Sequence, residues 1–115
     1  GAGAFAYLDD PIAHRIARQT VEANRVLGAI CIAPAILAKA GVLQRKKATV
    51  WSSPMDKKPI KILQENGAIY QEAEVVVDGK IVTADGPQAA QEFGQKLVEV
   101  LANKKPKFSS KDLIS

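Results

Sequence analysis

The stretch GAICIAPAILAKAG, residues 28–41, joins a short apolar run to an alanine-rich segment and holds the only cysteine of the 115-residue chain. A continuous apolar run of this length is typical of a strand that is buried on both faces of a sheet. Pro34 suits the first turn of a helix, and Gly41 is typical of the residue that ends one. The stretch therefore predicts a strand that turns directly into a helix at Cys31.

A cysteine at such a junction is suited to nucleophilic chemistry. A tight turn from strand to helix lifts the side chain out of the sheet edge. The unpaired N–H groups at the start of the helix favour the thiolate, which is the reactive form of the thiol. The N–H of Ile32 would point to where an oxyanion develops. The pattern alone leaves one alternative open, in which Cys31 is a small residue of the core.

The segments outside this stretch alternate between helix and strand patterns. Asp10 and Pro11 predict the start of a helix with an apolar arc. KKATVW predicts a strand from about Lys47 to Trp51, and EVVVDGKIVTA predicts a hairpin around Asp78-Gly79. Between them, the sequence predicts a short helix that ends at Gly67 and a brief strand in AIYQ, residues 68–71.

The last predicted helix begins at Pro87 and is followed by a basic, polar tail over residues 104–115. Its apolar stripe consists of Ala90, Phe93, Gly94, Leu97, Val98 and Leu101. Because strands alternate with helices along the chain, we predict an α/β fold with a mostly parallel sheet.

Length and composition limit the classes of protein that need to be considered. A chain of 115 residues has room for one domain, over residues 1–115. No apolar run approaches the roughly 20 residues that span a bilayer, and no signal-peptide pattern opens the sequence. A single cysteine fits a reducing compartment. We therefore expect a cytoplasmic protein without a membrane partner.

The net charge of +4 raises the question of nucleic-acid binding. The basic residues are scattered apart from three short runs, and no aromatic residues interleave with them as stacking on bases requires. These runs are Arg45–Lys47, Lys57–Lys58 and Lys104–Lys107. The acidic residues show no ligand-like spacing with histidine or cysteine. We predict no nucleic-acid partner, no metal and no cofactor.

Several segments in this order resemble the ThiJ/PfpI superfamily. They are AICIAPAILAKAG (29–41), KKATVW (46–51), VVVDGKIVTA (75–84) and GPQAAQEFG (86–94), after an opening GAGA. The family includes intracellular cysteine peptidases, glyoxalase and deglycase enzymes and the Parkinsonism-associated protein. The resemblance implies a flavodoxin-like, three-layer α/β/α sandwich and a homo-oligomer, either a dimer or a hexamer.

The resemblance also implies a site. Cys31 is the expected nucleophile, and the backbone N–H groups of Gly1 and Ile32 are the expected oxyanion donors. The family's histidine follows the cysteine directly or ends the next strand, where this chain has Ile32 and Trp51; neither side chain can accept a proton. His14 belongs to the first helix, and we expect it at the surface. A cysteine–histidine peptidase is therefore disfavoured.

Family members begin with further strands and an acidic residue that hydrogen-bonds the cysteine. This chain opens inside the glycine loop, so we expect it to correspond to the C-terminal two-thirds of such a domain. One side of the Cys31 strand should then be exposed.

A thiolate can still add to an aldehyde, because that reaction expels no amine. The resemblance thus favours a glyoxalase- or deglycase-like enzyme, or another cysteine-dependent hydrolase, acting on a small-molecule or peptide substrate. A non-enzymatic alternative stays open, in which the protein senses oxidative stress through oxidation of Cys31 or acts as a chaperone.

Overall fold

The computed structural model describes residues 7–104, so Gly1 and the tail beyond Lys104 lie outside the described part of the chain. Four α-helices, five strands and one 3₁₀ turn follow each other over these residues. They are α1 (Pro11–Glu22), β1 (Leu27–Ile30), α2 (Ala33–Lys39), β2 (Lys47–Ala48), α3 (Lys58–Glu65), β3 (Ile69–Tyr70), β4 (Val75–Asp78), β5 (Ile81–Ala84), the 3₁₀ turn (Pro87–Ala89) and α4 (Ala90–Lys104). None of these helices has the length and apolarity to cross a membrane.

The larger sheet has the strand order β1-β5-β4. β1 runs parallel to β5, in a register that pairs Leu27 with Ile81 and Ile30 with Ala84. β4 runs antiparallel to β5, as the hairpin pattern predicts, and the two turn residues are Gly79 and Lys80. β2 and β3 form a separate parallel pair. Among the described strands, two of the three pairings are parallel, which confirms the predicted α/β class.

The strand predicted over Lys47–Trp51 is shorter than expected. Only Lys47 and Ala48 pair with β3, and the next residues are tied to the larger sheet by individual hydrogen bonds. The Thr49 N–H donates to Thr83 Oγ1 at 3.0 Å, and the Trp51 N–H donates to the Cys31 carbonyl at 2.8 Å. This segment therefore joins the two sheets at the Cys31 end of β1.

Helix ends follow the local signals in the sequence. The Asp10 carboxylate accepts the Ile12 N–H at 2.8 Å at the start of α1. Gly41 and Gly67 follow α2 and α3 with φ of +86° and +84°, the left-handed conformation that glycine adopts without steric cost. These predicted boundaries are confirmed.

Helices cover both faces of β1. A Cβ on Gly28 would lie 2.8 Å from Leu97 Cδ2, so this residue faces α4. The next residue, Ala29, points the other way, into the core cluster that includes Ala17 of α1 and Ala35 of α2. Side chains of successive strand residues alternate between faces, and the arrangement is the predicted three-layer sandwich.

The sequence predicts that β1 is fully buried and that the apolar stripe of α4 is covered. Both predictions were wrong in part, because β1 is the outer strand of the described sheet. β1 is only partly buried, and an open apolar groove of about 250 Å³ runs beside it, lined by Ile16, Leu27 and Ile36 among others. The apolar stripe of α4 is likewise covered on one side only, since Val98 and Leu101 are 65% and 50% exposed. The exposed side of the Cys31 strand agrees with the sequence-based expectation.

Candidate functional site

Cys31 occupies the turn between β1 and α2 that the sequence predicts. Its φ is +63°, a left-handed value that costs a non-glycine residue about 1–2 kcal/mol. The Cys31 N–H donates to the Ala84 carbonyl at 3.0 Å, and the Cys31 carbonyl accepts the Trp51 N–H at 2.8 Å. Both backbone groups are therefore fixed, which keeps the residue in this strained conformation. The residue is half-buried.

Ile32 connects Cys31 to α2. Its side chain is buried in the core, and its backbone φ and ψ are already helical. Over residues 7–104 the Ile32 N–H donates to no acceptor, while its carbonyl accepts the Ala35 N–H at 2.8 Å. Of the two expected oxyanion donors, the structure thus describes the one at Ile32; Gly1 lies outside the described residues.

Trp51 lies beside the Cys31 turn. Its backbone N–H reaches the Cys31 carbonyl, and its side chain is half-buried. The indole can donate one hydrogen bond but has no lone pair with which to accept a proton. Residue 51 therefore contacts the backbone of Cys31, and its side chain lacks the chemistry of a base.

His14 is more enclosed than the sequence suggests. Its Nε2 atom lies 2.6 Å from the Leu8 carbonyl, and its ring is half-buried on α1. We expected this residue at the surface of the first helix; its ring is partly exposed there, and the hydrogen bond holds the segment before α1 against the helix. The His14 ring therefore has its hydrogen-bond partner in the segment just before α1 and not at the Cys31 turn.

Asp85 is a candidate that the sequence pattern did not single out. It follows the last residue of β5, and its N–H donates to the Glu74 carbonyl at 3.0 Å. Gln88 Nε2 donates to Asp85 Oδ1 at 3.2 Å. Burial raises the pKa of the Asp85 carboxyl above its ordinary value, and the residue's own backbone N–H offsets part of that shift.

Tyr70 lies near Asp85 at the end of β3. Burial raises the pKa of the Tyr70 hydroxyl, and the negative charges of Glu72 and Asp85 raise it further. The Ser52 hydroxyl, which is next to the phenol, acts in the opposite direction. Tyr70, Ser52 and Asp85 thus form a group of polar side chains near the carboxyl end of β5. Asp85 is the first residue after that strand.

The position of Asp85 directly after a predicted strand is the sequence signal that could have identified this group of polar side chains. Ligands in open α/β sheets bind at the carboxyl ends of the strands, and Asp85 directly follows a predicted strand. The parallel pairing of β1 with β5, which brings Asp85 level with Cys31, is not encoded locally. Residues 7–104 bring together no set of three or more His, Cys, Asp or Glu side chains suited to holding a metal ion.

Comparison with known proteins identifies similar sequences. The model of the DJ-1/PfpI family matches residues 1–100. An uncharacterized protein of Methanocaldococcus jannaschii is 44% identical over 78 residues, which are 68% of this chain and 37% of that protein. Protein dj-1beta of Drosophila melanogaster is 34% identical over 102 residues, 89% of this chain and 52% of the relative. The glutathione-independent glyoxalase DJR-1.2 of Caenorhabditis elegans is 29% identical over 101 residues, 88% and 51% of the two chains.

Solved structures show the same similarity. A ThiJ/PfpI domain protein from Brachyspira murdochii superposes with a TM-score of 0.82 at 25% identity, covering 90% of this chain and 57% of the other. Drosophila DJ-1beta has a TM-score of 0.72 at 32% identity, covering 90% and 53%. An oxidized DJ-1 of Toxoplasma gondii has a TM-score of 0.66 at 33% identity, covering 84% and 50%. This chain thus spans only about half the length of most of the relatives it matches.

Proposed function

The chain belongs to the DJ-1/PfpI family, and on that premise we propose that it processes small reactive aldehydes or glycated groups with Cys31 as the nucleophile. The observation that carries the proposal is the backbone of Cys31, which is held at a φ of +63° by hydrogen bonds on both sides. Backbone strain of this kind persists only where the surrounding structure enforces it, and it concentrates at functional sites.

The chemistry needs few groups. The Cys31 thiolate attacks the aldehyde carbon, the C–S bond forms, and the π electrons of the carbonyl move to the oxygen. The oxygen then takes up a proton, and the product is a hemithioacetal. The Ile32 N–H, one residue from the sulfur-bearing residue, is available to stabilise the developing negative charge. A peptidase would in addition have to protonate a leaving amine, which Trp51 cannot do.

The name of one relative supports this reaction class. The C. elegans relative is called a glutathione-independent glyoxalase. A glyoxalase reaction begins with a hemithioacetal, so without glutathione the thiol has to come from another source. Cys31 is the only thiol in this chain. The chain spans about half of that relative's length.

The test measures conversion of methylglyoxal to lactate by the full-length protein, and compares Cys31→Ser with His14→Gln. We expect Cys31→Ser to lose at least about 100-fold in turnover, since a hydroxyl is a far weaker nucleophile at neutral pH. His14→Gln should retain the wild-type rate, because the ring bonds only within the first helix region. Undiminished lactate formation by Cys31→Ser would overturn the proposal.

A second candidate function is oxidation sensing by Cys31. The residue is half-buried, so peroxide has access to it, and the solved T. gondii relative is described as oxidized. Under this function, peroxide would add oxygen atoms to Cys31 in the intact-mass spectrum and change the assembly state, with no methylglyoxal turnover. Oxidation that leaves assembly and partner binding unchanged would count against it.

A further inference from the structure

We propose that Asn66 is a deamidation site that the fold keeps closed, so that it reacts only when the end of α3 opens. Asn66 is followed by Gly67, and it is the one asparagine of the chain that precedes a glycine. An asparagine before glycine loses its side-chain amide most readily, because glycine has no side chain to hinder attack by its own nitrogen. Neither residue takes part in the proposed aldehyde chemistry.

The reaction needs only water. The Gly67 nitrogen attacks the side-chain carbonyl carbon of Asn66, a C–N bond forms, and the side-chain amide leaves as ammonia with the proton from the Gly67 nitrogen. Water then opens the five-membered imide at one of its two carbonyl carbons. Cleavage at the side-chain carbon gives aspartate, and cleavage at the main-chain carbon gives isoaspartate. In either product an acid replaces the amide.

The backbone at Asn66 holds the Gly67 nitrogen away from the carbon it would attack. The imide ring is nearly flat, so the peptide group after Asn66 first has to rotate until its nitrogen lies on the side of Cβ. At the observed ψ of 20°, that nitrogen is turned away from Cβ. The Gly67 N–H in addition donates to the Gln64 carbonyl at 3.1 Å. The folded conformation is therefore unreactive.

The Asn66 side chain is also held in place. Its Nδ2 atom donates to the Ile62 carbonyl at 2.8 Å, one turn back in α3. The same carbonyl accepts the Asn66 backbone N–H at 3.2 Å. Side chain and backbone thus share one acceptor among the last carbonyls of the helix, which lack a partner further along the helix itself. This arrangement fixes the amide over the last turn of α3.

Contacts from the α2–β2 connection, residues 40–46, hold Gly67 from the other side. The Arg45 N–H donates to the Gly67 carbonyl at 2.8 Å, and the Ile69 N–H donates to the Lys46 carbonyl at 2.8 Å. Arg45 itself has a φ of +62°, a strained value for a residue with a side chain. Rotation of the peptide group after Asn66 therefore requires the end of α3 to detach from this connection.

Conversion of Asn66 would make it harder for the end of α3 to close again. An ionised acid at this position has no N–H to donate to the Ile62 carbonyl. It also places a negative charge at the C-terminal end of a helix, where the helix dipole disfavours it. Isoaspartate in addition inserts a carbon atom into the main chain, which disturbs the spacing of the hydrogen bonds around Gly67. The change at Asn66 is therefore a permanent record of the opening of α3.

The test compares conversion of Asn66 in the native full-length protein and in the protein unfolded by guanidinium chloride, at the same mildly alkaline pH. Trypsin releases residues 62–80, in which Asn66 is the only asparagine, and fragmentation of this peptide locates the change from amide to acid. We expect Asn66 to convert at least about tenfold faster in the unfolded protein, because opening limits the native rate. Asn24, which precedes Arg25, is the internal control and should convert far more slowly than Asn66 in the unfolded protein.

Two outcomes of this comparison would overturn the proposal. Equal rates in the native and the unfolded protein would show that the end of α3 does not protect Asn66. Conversion of Asn66 no faster than that of Asn24 in the unfolded protein would show that it is not a preferred site.

Low concentrations of guanidinium chloride test whether a local opening is sufficient. Local opening exposes little surface, so the native rate should change little with denaturant below the unfolding transition. A steep rise that parallels global unfolding would contradict opening at the end of α3 alone.

Asn66→Asp tests the permanence of the change. This variant should unfold at a lower guanidinium concentration than Asn66→Gln, which keeps a neutral amide at the same position. Equal midpoints for the two variants would contradict the inferred resistance to closing.

Discussion

Residue 51 shows how one side chain can determine which reactions a site supports. The backbone of Trp51 does what any residue could do there, since its N–H donates to the Cys31 carbonyl at 2.8 Å. The Trp51 side chain cannot act as a base, because an indole cannot accept the proton of a thiol. The backbone contact with Cys31 is therefore present, but the side chain at residue 51 cannot act as a base.

Replacing Trp51 by histidine should introduce the missing base. The backbone hydrogen bond to Cys31 is retained, and a positioned imidazole typically accelerates proton transfer by about 10²–10⁴-fold. We expect methylglyoxal turnover to rise at least about tenfold in Trp51→His, measured as lactate formation near neutral pH. Trp51→Phe, which keeps an aromatic ring and adds no base, is the matched control. Equal rates for the two variants would show that the side chain at this position does not reach the reaction.

At the scale of elements, the contact between α4 and β1 depends on a residue without a side chain. A Cβ on Gly28 would lie 2.8 Å from Leu97 Cδ2 and 3.1 Å from Phe93 Cζ. Gly28 lies in β1, three residues before Cys31 in the turn that follows, so a shift of α4 against β1 would also move the β1–α2 turn.

Gly28→Ala should therefore destabilise the protein by about 1–3 kcal/mol, because the added methyl group forces Leu97 and Phe93 out of place. The measurement is the free energy of unfolding in urea. Gly94→Ala on α4 is the control: no described atom lies within 4 Å of its Cβ position, and alanine favours the helix by up to about 1 kcal/mol. A Gly28→Ala protein as stable as Gly94→Ala would mean that α4 does not pack on Gly28 in solution.

At the scale of the whole molecule, the two sheets are joined by a few polar contacts. The Thr49 N–H donates to Thr83 Oγ1 at 3.0 Å, and both residues are almost completely buried. The hydroxyl of Thr49, by contrast, is buried without a hydrogen-bond partner within the described part of the chain. The Thr83 hydroxyl therefore stabilises the fold through its hydrogen bond, whereas burial of the unpaired Thr49 hydroxyl destabilises it.

Thr83→Val should lower the free energy of unfolding by about 1–3 kcal/mol, since it leaves the buried Thr49 N–H without an acceptor. Thr49→Val has nearly the same shape and removes an unpaired hydroxyl, so it should be neutral or stabilising. Thermal and urea unfolding of both variants would check the pair. Equal destabilisation by the two substitutions would contradict this account of how the sheets are joined.

Local signals in the sequence were sufficient for most of the elements. Asp10 at the start of α1, Gly41 and Gly67 at the ends of α2 and α3, and the hairpin near Gly79 lie where the pattern predicts them. Each acts through the conformation of its own backbone or through a partner within a few residues. The strand-to-helix turn at Cys31 belongs to the same class, because it follows from an apolar run that meets Pro34.

The sequence by itself thus determined the α/β class, the element order and the position of the cysteine. Only the tertiary structure decided which groups surround that cysteine. Asp85 lies 54 positions along the chain from Cys31, and the two become neighbours only through the register of β1 with β5. The partial exposure of β1 likewise depends on which strands flank it. Strand pairing is a long-range choice, made by the total burial of the sheet and not by any short segment, and for that reason no local pattern revealed it.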